Sequence, residues 1–388
     1  MLTVSAAATV RRGHPWVYRQ GVARAPVGLS TGDVVDIVDE AGSHLGAGLW
    51  DAISPIAARV YEHDRAVRVD VASIARRFDR ALELRDALFP AGSGTTAFRL
   101  CNGEGDRIPG LVVDRYGEVA IVRLDGAILD PWLDRLADPI AAALARRGVR
   151  SVALRVASED GGSKLRRLRG DDPPDRVVVT EAGARMEVDL ARGQKTGAFL
   201  DQRDNRVRVR ALAAGRARVL NLFSYAGGFS VAAALGGAVR VTSVDVAAAA
   251  HATAQRTFRE NGLDPSAHAF VTADAFAYLD QARARGERFD LVVSDPPSFA
   301  PSERALQRAL AAYRKLHAAV AGVLADGGIL CAASCSSHVD ANDFLATLDD
   351  AAIGRDDLRV RAIHGPPEDH PSLPAWPEGR YLKFVVLW

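Results

Sequence analysis

The order of apolar and polar positions along the chain separates three zones. In residues 1–70, apolar and polar residues alternate over short stretches such as VVDIVDE and IAARVYEHD, which turn residues separate. Alternation with a period of two is typical of β-strands that bury one face. Short strands of this kind bury that face by closing into a small β-barrel, which is the fold that we predict for the first zone.

The second zone, residues 71–190, mixes helical and strand periods. VASIARRFDRALELRDAL and LDRLADPIAAALARRG place apolar residues at helical spacing. LVVDRYGEVAIVRLD predicts a hairpin around Tyr116–Gly117, while SVALRVA and ARMEVDLA predict further strands. We interpret SKLRRLRG as a basic loop. The second zone is therefore predicted to be a small α+β domain.

The third zone, residues 191–388, alternates apolar strands with helices to the end of the chain. The expected strands include Arg218–Leu222, Val239–Val244, Phe289–Ser294 and Ile329–Ala333. Such alternation is typical of an α/β fold with a parallel, doubly wound sheet.

Composition and charge narrow the class of protein. The 388 residues are 48% hydrophobic and 25% charged, which is typical of soluble globular proteins. No apolar run approaches the ~20 residues that span a bilayer, and the N-terminus lacks the order of a signal peptide. Cys101, Cys331 and Cys335 form neither a disulfide framework nor zinc-binding CxxC pairs. We therefore expect a cytoplasmic protein with no metal site and no membrane partner. The formal net charge of +1 leaves RNA binding to a local basic face.

A glycine-bearing turn, FSYAGGF, follows the first predicted strand of the third zone and opens a helix. Its glycines allow a close approach of ligand and backbone, and the helix N-terminus offers unpaired N–H groups. Asp245 ends the next strand, where a carboxylate suits the hydroxyl groups of a ribose. A dinucleotide site begins in the same way, but the spacing is not GxGxxG, which favours a methyltransferase.

Two further acidic residues follow strands of the same zone. Asp274 is placed where an adenine amino group can be recognised, and Asp295 opens the segment DPPSF. Consecutive prolines rigidify the chain, and Pro296 has no N–H to donate, so the segment forms a fixed rim beside the acid. Taken alone, the sequence Asp-Pro-Pro could equally be a break that ends a strand before the next helix and binds no ligand. Together, the three strand ends favour a ligand site at the carboxyl edge of the sheet.

Residues 193–388 resemble a class I S-adenosylmethionine-dependent methyltransferase, and the whole chain resembles the RlmI-like family of large-subunit ribosomal RNA cytosine-C5 methyltransferases. The matching stretches are GQKTGAFLDQRDNR, LNLFSYAGGFSVAAALGGA, VTSVDV, DPPSFA, GGILCAASCSSH, DHPSLPAWPEGRYLK, RRGHPWVY and GDRIPGLVVDRYG. The resemblance implies a PUA-like RNA-binding domain at 1–70, a small α+β domain at 71–190 and a Rossmann-like catalytic domain at 191–388. It also implies S-adenosylmethionine as the cofactor and large-subunit ribosomal RNA, or an assembling ribosomal particle, as the partner.

The resemblance further implies which residues bind the cofactor. The motif lining its methionine and ribose parts matches Phe223, Ser224, Tyr225 and Gly227. Asp245 matches the ribose carboxylate, Asp274 the acid beside adenine, and Asp295 the acid that faces both cofactor and target base. In the lead-in Lys195–Arg203, which closes over the cofactor, the expected contacts are Gln202 and Arg203.

Cys335 is the expected nucleophile. Cytosine C5 cannot attack a methyl sulfonium directly, whereas addition of a thiolate to C6 makes C5 nucleophilic. Cys335 follows a predicted strand and matches the SCS motif of the family; the alternative is a buried, inert cysteine. Cys331 and Cys101 are expected to be core residues. The base that removes the C5 proton stays open, because His338 is equally a solvent-exposed loop residue and Asp295 can instead bind N3 or the amino group of the base.

RNA contacts are expected in two places. Arg11 and Arg12 lie near Trp16 in the first zone, where basic and aromatic side chains suit phosphates and bases. Pro296, Pro297 and Phe299 are expected to border the target base, which has to be unpaired or flipped. The basic residues of the first zone and those of SKLRRLRG are each, by themselves, more often a solvated surface, and the resemblance makes RNA contact the better interpretation.

Two other functions remain as alternatives. The Asp-Pro-Pro-Ser-Phe loop can hold an exocyclic purine amine, which would make the protein an N-methyltransferase that forms no covalent adduct. The second alternative is a non-catalytic RNA-binding assembly factor. The intact cofactor motif counts against this alternative. The oligomeric state stays open between a monomer and a homodimer, in which Val385–Leu387 would complete an edge strand or meet a partner.

Overall fold

The computed structural model describes residues 1–158, 162–300, 302–353 and 355–388. These residues form two compact units, each built from separate stretches of the chain. The first unit comprises Met1–Val179, Asp189–Leu200 and Glu368–Gly379, and the second comprises Thr180–Val188, Asp201–Pro367 and Arg380–Trp388. The division into three domains at 1–70, 71–190 and 191–388 stays a prediction.

The first unit opens with an element that the alternating pattern did not predict. Helix α1 (Val4–Arg11) begins after Thr3, whose hydroxyl accepts a hydrogen bond from the amide of Ala6. An antiparallel sheet follows, made of β1 (Trp16–Tyr18), β2 (Val34–Val38), β3 (His44–Trp50) and β4 (Ile56–Glu62) in the order β1-β4-β3-β2. Ala7 and Val10 of α1 share the core of this sheet, so a helix covers strands that were expected alone.

The first unit also contains a five-stranded sheet with two helices on one face. The elements are α2 (Val71–Leu88), β5 (Ala97–Asn102), β6 (Leu111–Tyr116), β7 (Val119–Leu124), α3 (Leu133–Ala145), β8 (Ser151–Ala157) and β9 (Ser163–Gly170). The strand order is β5-β6-β7-β8-β9, and only β7 and β8, which α3 connects, run parallel. Phe78 and Leu82 of α2 share one core with Leu136 of α3. Both predicted helices and the hairpin at Tyr116–Gly117 are confirmed.

The basic segment SKLRRLRG is a strand, so its interpretation as a loop was wrong. It forms β9, in which Lys164 pairs with Val156 of β8 and Arg166 pairs with Leu154. The ladder with β8 supplies the backbone hydrogen bonds that the extended conformation needs. Charged side chains on a strand at the end of a sheet also discourage pairing with another chain. Sequence alternation alone could not reveal the strand, because basic residues occupy half of its positions.

A two-stranded hairpin and a seven-stranded sheet follow. The hairpin is β10 (Arg176–Glu181) and β11 (Ala184–Asp189). The sheet contains β12 (Arg218–Leu222), β13 (Arg240–Asp245), β14 (Ala269–Thr272), β15 (Phe289–Ser294), β16 (Leu324–Ser334), β17 (Val360–His364) and β18 (Lys383–Leu387). The helices are α4 (Arg203–Leu212), α5 (Gly228–Leu235), α6 (Ala248–Glu260), α7 (Ala275–Ala284), α8 (Leu306–Ala321), α9 (Ala341–Ala346) and α10 (Asp349–Ala352). Within the described ranges, none of the helices combines the length and hydrophobicity needed to cross a bilayer.

The last strand lies inside the sheet rather than at its edge. The strand order is β14-β13-β12-β15-β16-β18-β17, and β18 runs antiparallel to both neighbours. The expectation that Val385–Leu387 completes an edge was therefore wrong, and this strand gives no support to a homodimer. Two flanking ladders explain why β18 is buried along its whole length.

The strand order also fixes where a ligand site can form. From β12 the chain moves outward to β13 and β14 on one side, and then returns to add β15 and β16 on the other. Ligands of open α/β sheets bind beyond the carboxyl ends of the strands where the order reverses, here β12 and β15. Leu222 pairs with Ser294, so Phe223 and Asp295 leave adjacent strand ends.

Candidate active site

The turn after β12 has an unusual backbone conformation. Phe223 and Tyr225 adopt positive φ angles of 55° and 44°, and Gly227 follows at 77°. Positive φ costs a non-glycine residue roughly 1–3 kcal/mol and persists only where surrounding structure holds it. Two backbone bonds do so, from Ser224 N to Val244 O at 3.0 Å and from Gly227 N to Ser224 O at 2.8 Å. The turn is therefore strained and fixed, as expected of a ligand-binding loop.

Asp245 supports this turn from the end of β13. Its Oδ2 accepts a hydrogen bond from Tyr225 N at 2.8 Å, and its Oδ1 accepts one from Ala247 N at 2.9 Å. Each carboxylate oxygen has a second lone pair, so both oxygens can accept a further hydroxyl group. The half-buried carboxylate thus fixes the turn and retains the capacity to bind ribose.

Gly227 has no room for a side chain. A Cβ built on it would lie 2.6 Å from the Cβ of Ala254 in α6. The neighbouring Gly228 is similar, because a Cβ there would lie 2.9 Å from Cδ of Arg206. The backbone entering α5 is thus packed directly against α6 and α4.

Gly227→Ala should destabilise the second unit more than a glycine-to-alanine substitution that introduces backbone strain without a steric clash. We expect a loss of about 2–4 kcal/mol in the free energy of unfolding, because positive φ and overpacking each cost on the order of 1–2 kcal/mol. Gly215→Ala is the matched control, since Gly215 has a φ of 71° with nothing within 4 Å of the added Cβ. Denaturant unfolding measures both variants, and equal losses would contradict the contact with Ala254.

Asp274 is exposed and caps helix α7. Its Oδ1 accepts a hydrogen bond from Ala277 N at 3.0 Å. It follows β14 as Asp245 ends β13, and Asp245 pairs with Thr272 across the two strands. The structure therefore brings these two predicted acids to the same edge of the sheet.

Asp295 and Gln202 are in direct contact. Nε2 of Gln202 donates to Oδ2 of Asp295 at 3.0 Å, and Nδ2 of Asn205 donates to Oε1 of Gln202 at 2.6 Å. Gln202 and Asn205 are buried, as is Arg203, whose Nε lies 3.1 Å from Oδ1 of Asp204. Asn205 was missed by sequence reasoning, although its place one helical turn after Gln202 was a usable signal.

Cys335 follows β16 beside the Asp-Pro-Pro segment. Oγ of Ser336 donates to the carbonyl of Ala300 at 3.2 Å, which joins the two loops. Burial raises the pKa of Tyr313 to about 12, and the negative charges of Cys335 and Asp295 contribute to this rise. One tyrosine therefore lies within electrostatic range of both predicted catalytic side chains.

The three cysteines differ in exposure. Cys335 is half-buried, whereas Cys101 and Cys331 are fully buried and none of the three is in a disulfide. Burial raises the pKa of the Cys101 and Cys331 thiols far above the ordinary value. These two lie in hydrophobic cores, as expected, and only Cys335 reaches the carboxyl edge of the sheet.

The rim residues of the DPPSF segment do not all face solvent. Pro296 is buried and Pro297 is exposed, while His338 in the neighbouring loop is also exposed. The ring of Phe299 packs against Tyr313 with centroids 4.8 Å apart. Phe299 therefore helps to hold the rim against α8.

The polar atoms at this edge fit a polar ligand. Oγ of Ser224 is buried and has no hydrogen-bond partner among the residues that the structure describes. Leaving a buried hydroxyl without a partner costs ~1–3 kcal/mol, so such groups are usually satisfied by a bound molecule or water. With the strained turn and the carboxylates of Asp245 and Asp295, this hydroxyl suits the methionine and ribose groups of S-adenosylmethionine.

Comparison with known proteins agrees with this fit. A family model described as S-adenosylmethionine-dependent methyltransferase matches residues 134–376, and a PUA-like domain model matches residues 1–63. The chain belongs to the S-adenosylmethionine-dependent methyltransferases. When bound, this cofactor supplies an electrophilic methyl group.

Relatives and solved structures extend along the whole methyltransferase. The ribosomal RNA large subunit methyltransferase of Deinococcus radiodurans is 41% identical, covering 100% of this chain and 96% of the relative. Ribosomal RNA large subunit methyltransferase I of Aeromonas salmonicida is 35% identical to this chain, and the match covers 97% of this chain and 95% of the relative. A crystal structure of the methyltransferase SMU.776 complexed with SAH has a TM-score of 0.87 at 26% identity, covering 100% of this chain and 98% of that one. A Streptococcus mutans methyltransferase has a TM-score of 0.85 at 26% identity, covering 100% of both chains.

The RNA contacts predicted in the first zone of the sequence, Arg11, Arg12 and Trp16, lie in the first unit. Arg11 is the last residue of α1 and forms an ion pair with Asp39, and Arg12 is exposed at the end of the same helix. Nε1 of Trp16 donates to Oε1 of Glu104 at 2.7 Å, and its ring lies 5.4 Å from that of Trp376. Trp16 is thus half-buried and already packed, whereas Arg11 and Arg12 are exposed.

Proposed function

We propose that this methyltransferase acts on large-subunit ribosomal RNA in the cytoplasm and forms 5-methylcytidine through a covalent bond between Cys335 and C6 of the target cytosine. The supporting observation is the position of one half-buried thiol at the carboxyl end of β16, in a loop bonded to the Asp295 segment. The names of the relatives support the substrate class, since they are large-subunit ribosomal RNA methyltransferases.

The proposed reaction uses the Cys335 sulfur twice. As a thiolate it adds to C6, and the electron pair of the C5–C6 double bond moves to C5. Bound S-adenosylmethionine would supply the methyl group to C5, with the electron pair of its S–CH3 bond staying on sulfur to give S-adenosylhomocysteine. A base then removes the C5 proton, its electron pair restores the double bond, and the S–C6 bond breaks to release the thiolate. We propose that His338, which is exposed in the loop after Cys335, or a water accepts that proton.

Asp295 is proposed to orient the target base. Gln202 holds one of its oxygens at 3.0 Å, which fixes the carboxylate for a hydrogen bond to the amino group or N3 of cytosine. Asn205 in turn fixes the amide of Gln202. Arg203, buried at the start of α4, is proposed as a further contact of the cofactor lead-in.

The cofactor is proposed to lie across the ends of β12, β13 and β14. Phe223, Ser224, Tyr225 and Gly227 would border its methionine and ribose groups, Asp245 would bind the ribose hydroxyls, and Asp274 would lie beside adenine. In the PUA-like region, Arg11, Arg12 and Trp16 are proposed RNA contacts. Pro296, Pro297 and Phe299 would border the flipped base.

Nucleoside mass spectrometry tests this proposal. The purified protein is incubated with labelled S-adenosylmethionine and bacterial ribosomal RNA, both as free RNA and as ribosomal particles, and the RNA is digested to nucleosides. We expect the label in 5-methylcytidine. Label in an N-methylated purine would instead favour the alternative chemistry at the Asp-Pro-Pro-Ser-Phe loop, against which the packing of Phe299 on Tyr313 counts.

A further inference from the structure

Lys383 is a buried lysine that the proposed reaction does not yet use. It is one of four lysines in the chain and opens β18, where only 4% of its surface is exposed. Burying an ammonium group is costly unless strong partners surround it. The side chain therefore has to be held by specific contacts.

Three backbone carbonyls surround the Lys383 ammonium group. Nζ donates to the oxygens of Ser336 at 2.5 Å, Val339 at 2.6 Å and Tyr381 at 2.7 Å. An ammonium group has three hydrogens, whereas a neutral amine has two, so full use of the three acceptors requires the charged form. The contacts therefore place a positive charge inside the loop.

These contacts close the loop that carries Cys335. Ser334, the last residue of β16, pairs with Lys383 across the strands, and two of the three carbonyls belong to the segment that follows Cys335. The ammonium group thus ties both ends of residues 336–339 to β18. Cys335 lies between Ser334, which pairs with Lys383, and Ser336, whose carbonyl accepts from the Lys383 ammonium group.

The charges near this loop come from three elements. Burial lowers the pKa of Lys383 to about 8, and the negative charges of Cys335 and Asp340 oppose that effect. Tyr313 faces the same cluster from α8, where it lies within range of Cys335 and Asp295. Lys383 is the buried cation in this group, while the carboxylates and an ionised thiol carry negative charge.

We propose that Lys383 is a positioning residue for Cys335, because its ammonium group fixes the loop that carries the thiol and stabilises the thiolate form. The thiol loses its proton to solvent, and the nearby positive charge favours the ionised sulfur. The catalytic use of that thiolate rests on the proposed function, whereas its ionisation does not.

The test compares thiol reactivity with turnover. Alkylation of Cys335 by iodoacetamide is followed by peptide mass spectrometry over a pH series in the full-length protein, for the wild type, Lys383→Met and Lys383→Gln. We expect the midpoint of reactivity to rise by about one pH unit or more when the charge is removed. Turnover at neutral pH should fall about tenfold and recover as the pH is raised.

Controls separate this role from a purely structural one. Lys315→Met removes an exposed lysine of α8 and should leave the alkylation profile unchanged. Lys383→Gln retains two donors without charge, so it keeps the test valid should Lys383→Met fail to bind the cofactor. An unchanged midpoint in a cofactor-binding Lys383 variant would overturn the proposal.

The result is independent of whether the covalent mechanism holds. Turnover that survives in Cys335→Ser would refute the covalent adduct, yet the shift of the alkylation midpoint would stand. Turnover lost in Cys335→Ser, with no shift in the Lys383 variants, would leave the adduct intact and remove Lys383 from its role.

Discussion

Cys335→Ala is expected to lower methyl transfer by about 10³-fold or more, since loss of a covalent nucleophile removes the step that activates C5. Affinity for S-adenosylmethionine should stay within about twofold, because Cys335 follows β16 while the proposed cofactor contacts follow β12 to β15. Transfer of labelled methyl groups to ribosomal RNA measures the first quantity, and isothermal titration calorimetry the second.

Cys331→Ala is the matched control for this experiment. Cys331 lies in the same strand but is fully buried in the sheet core, so its replacement should affect stability and leave turnover largely intact. Full activity in Cys335→Ala would exclude the thiol mechanism. Equal losses in both variants would show that the strand, rather than the Cys335 sulfur, is needed.

Asp245→Ala is expected to weaken cofactor binding about 100-fold. The carboxylate accepts hydrogen bonds from the amides of Tyr225 and Ala247, so its removal frees the strained turn after β12 as well as the proposed ribose contact. Hydrogen bonds to a charged group contribute ~1.5–3 kcal/mol each, and a tenfold change in affinity corresponds to about 1.4 kcal/mol. Calorimetric titration with S-adenosylmethionine gives the dissociation constant.

Asp280→Ala provides the comparison for that variant. Asp280 is exposed on α7, so its loss changes the net charge equally without touching the turn. An affinity of Asp245→Ala within about threefold of the wild type would contradict both the support of the turn and the ribose contact. Normal thermal stability of the variant would confirm that any loss is local.

Local patterns predicted much of the fold because they report on burial. The strands at Arg218–Leu222 and Phe289–Ser294 are confirmed to the residue, since fully buried parallel strands appear as short apolar runs between turns. The sequence analysis did not predict helix α1 or strand β9, for two different reasons. The first is rich in alanine and shows no clear period, and the second is stabilised by its ladder with β8 rather than by its own composition.

The sequence predicted those site residues whose chemistry follows from their residue type and from their place at the end of a strand. Asp245 ends β13, while Asp295 and Cys335 follow β15 and β16, and parallel strands present their carboxyl ends at one edge. Lys383 and Asn205 were missed because their partners are backbone carbonyls and an amide that only folding brings near. A single lysine opening the apolar run KFVVLW was the one signal that the sequence offered for Lys383.

By itself, the sequence determined the alternation of strands and helices, the glycine turn of the cofactor motif and the identity of the acidic and thiol groups, because these depend on neighbours along the chain. Only the tertiary structure decided that β18 is interior, that Gln202 reaches Asp295, and that Lys383 closes the Cys335 loop. Each of these joins residues far apart in the chain. Such contacts depend on how the strands are arranged in the folded sheet, and the periodicity of neighbouring residues does not encode that arrangement.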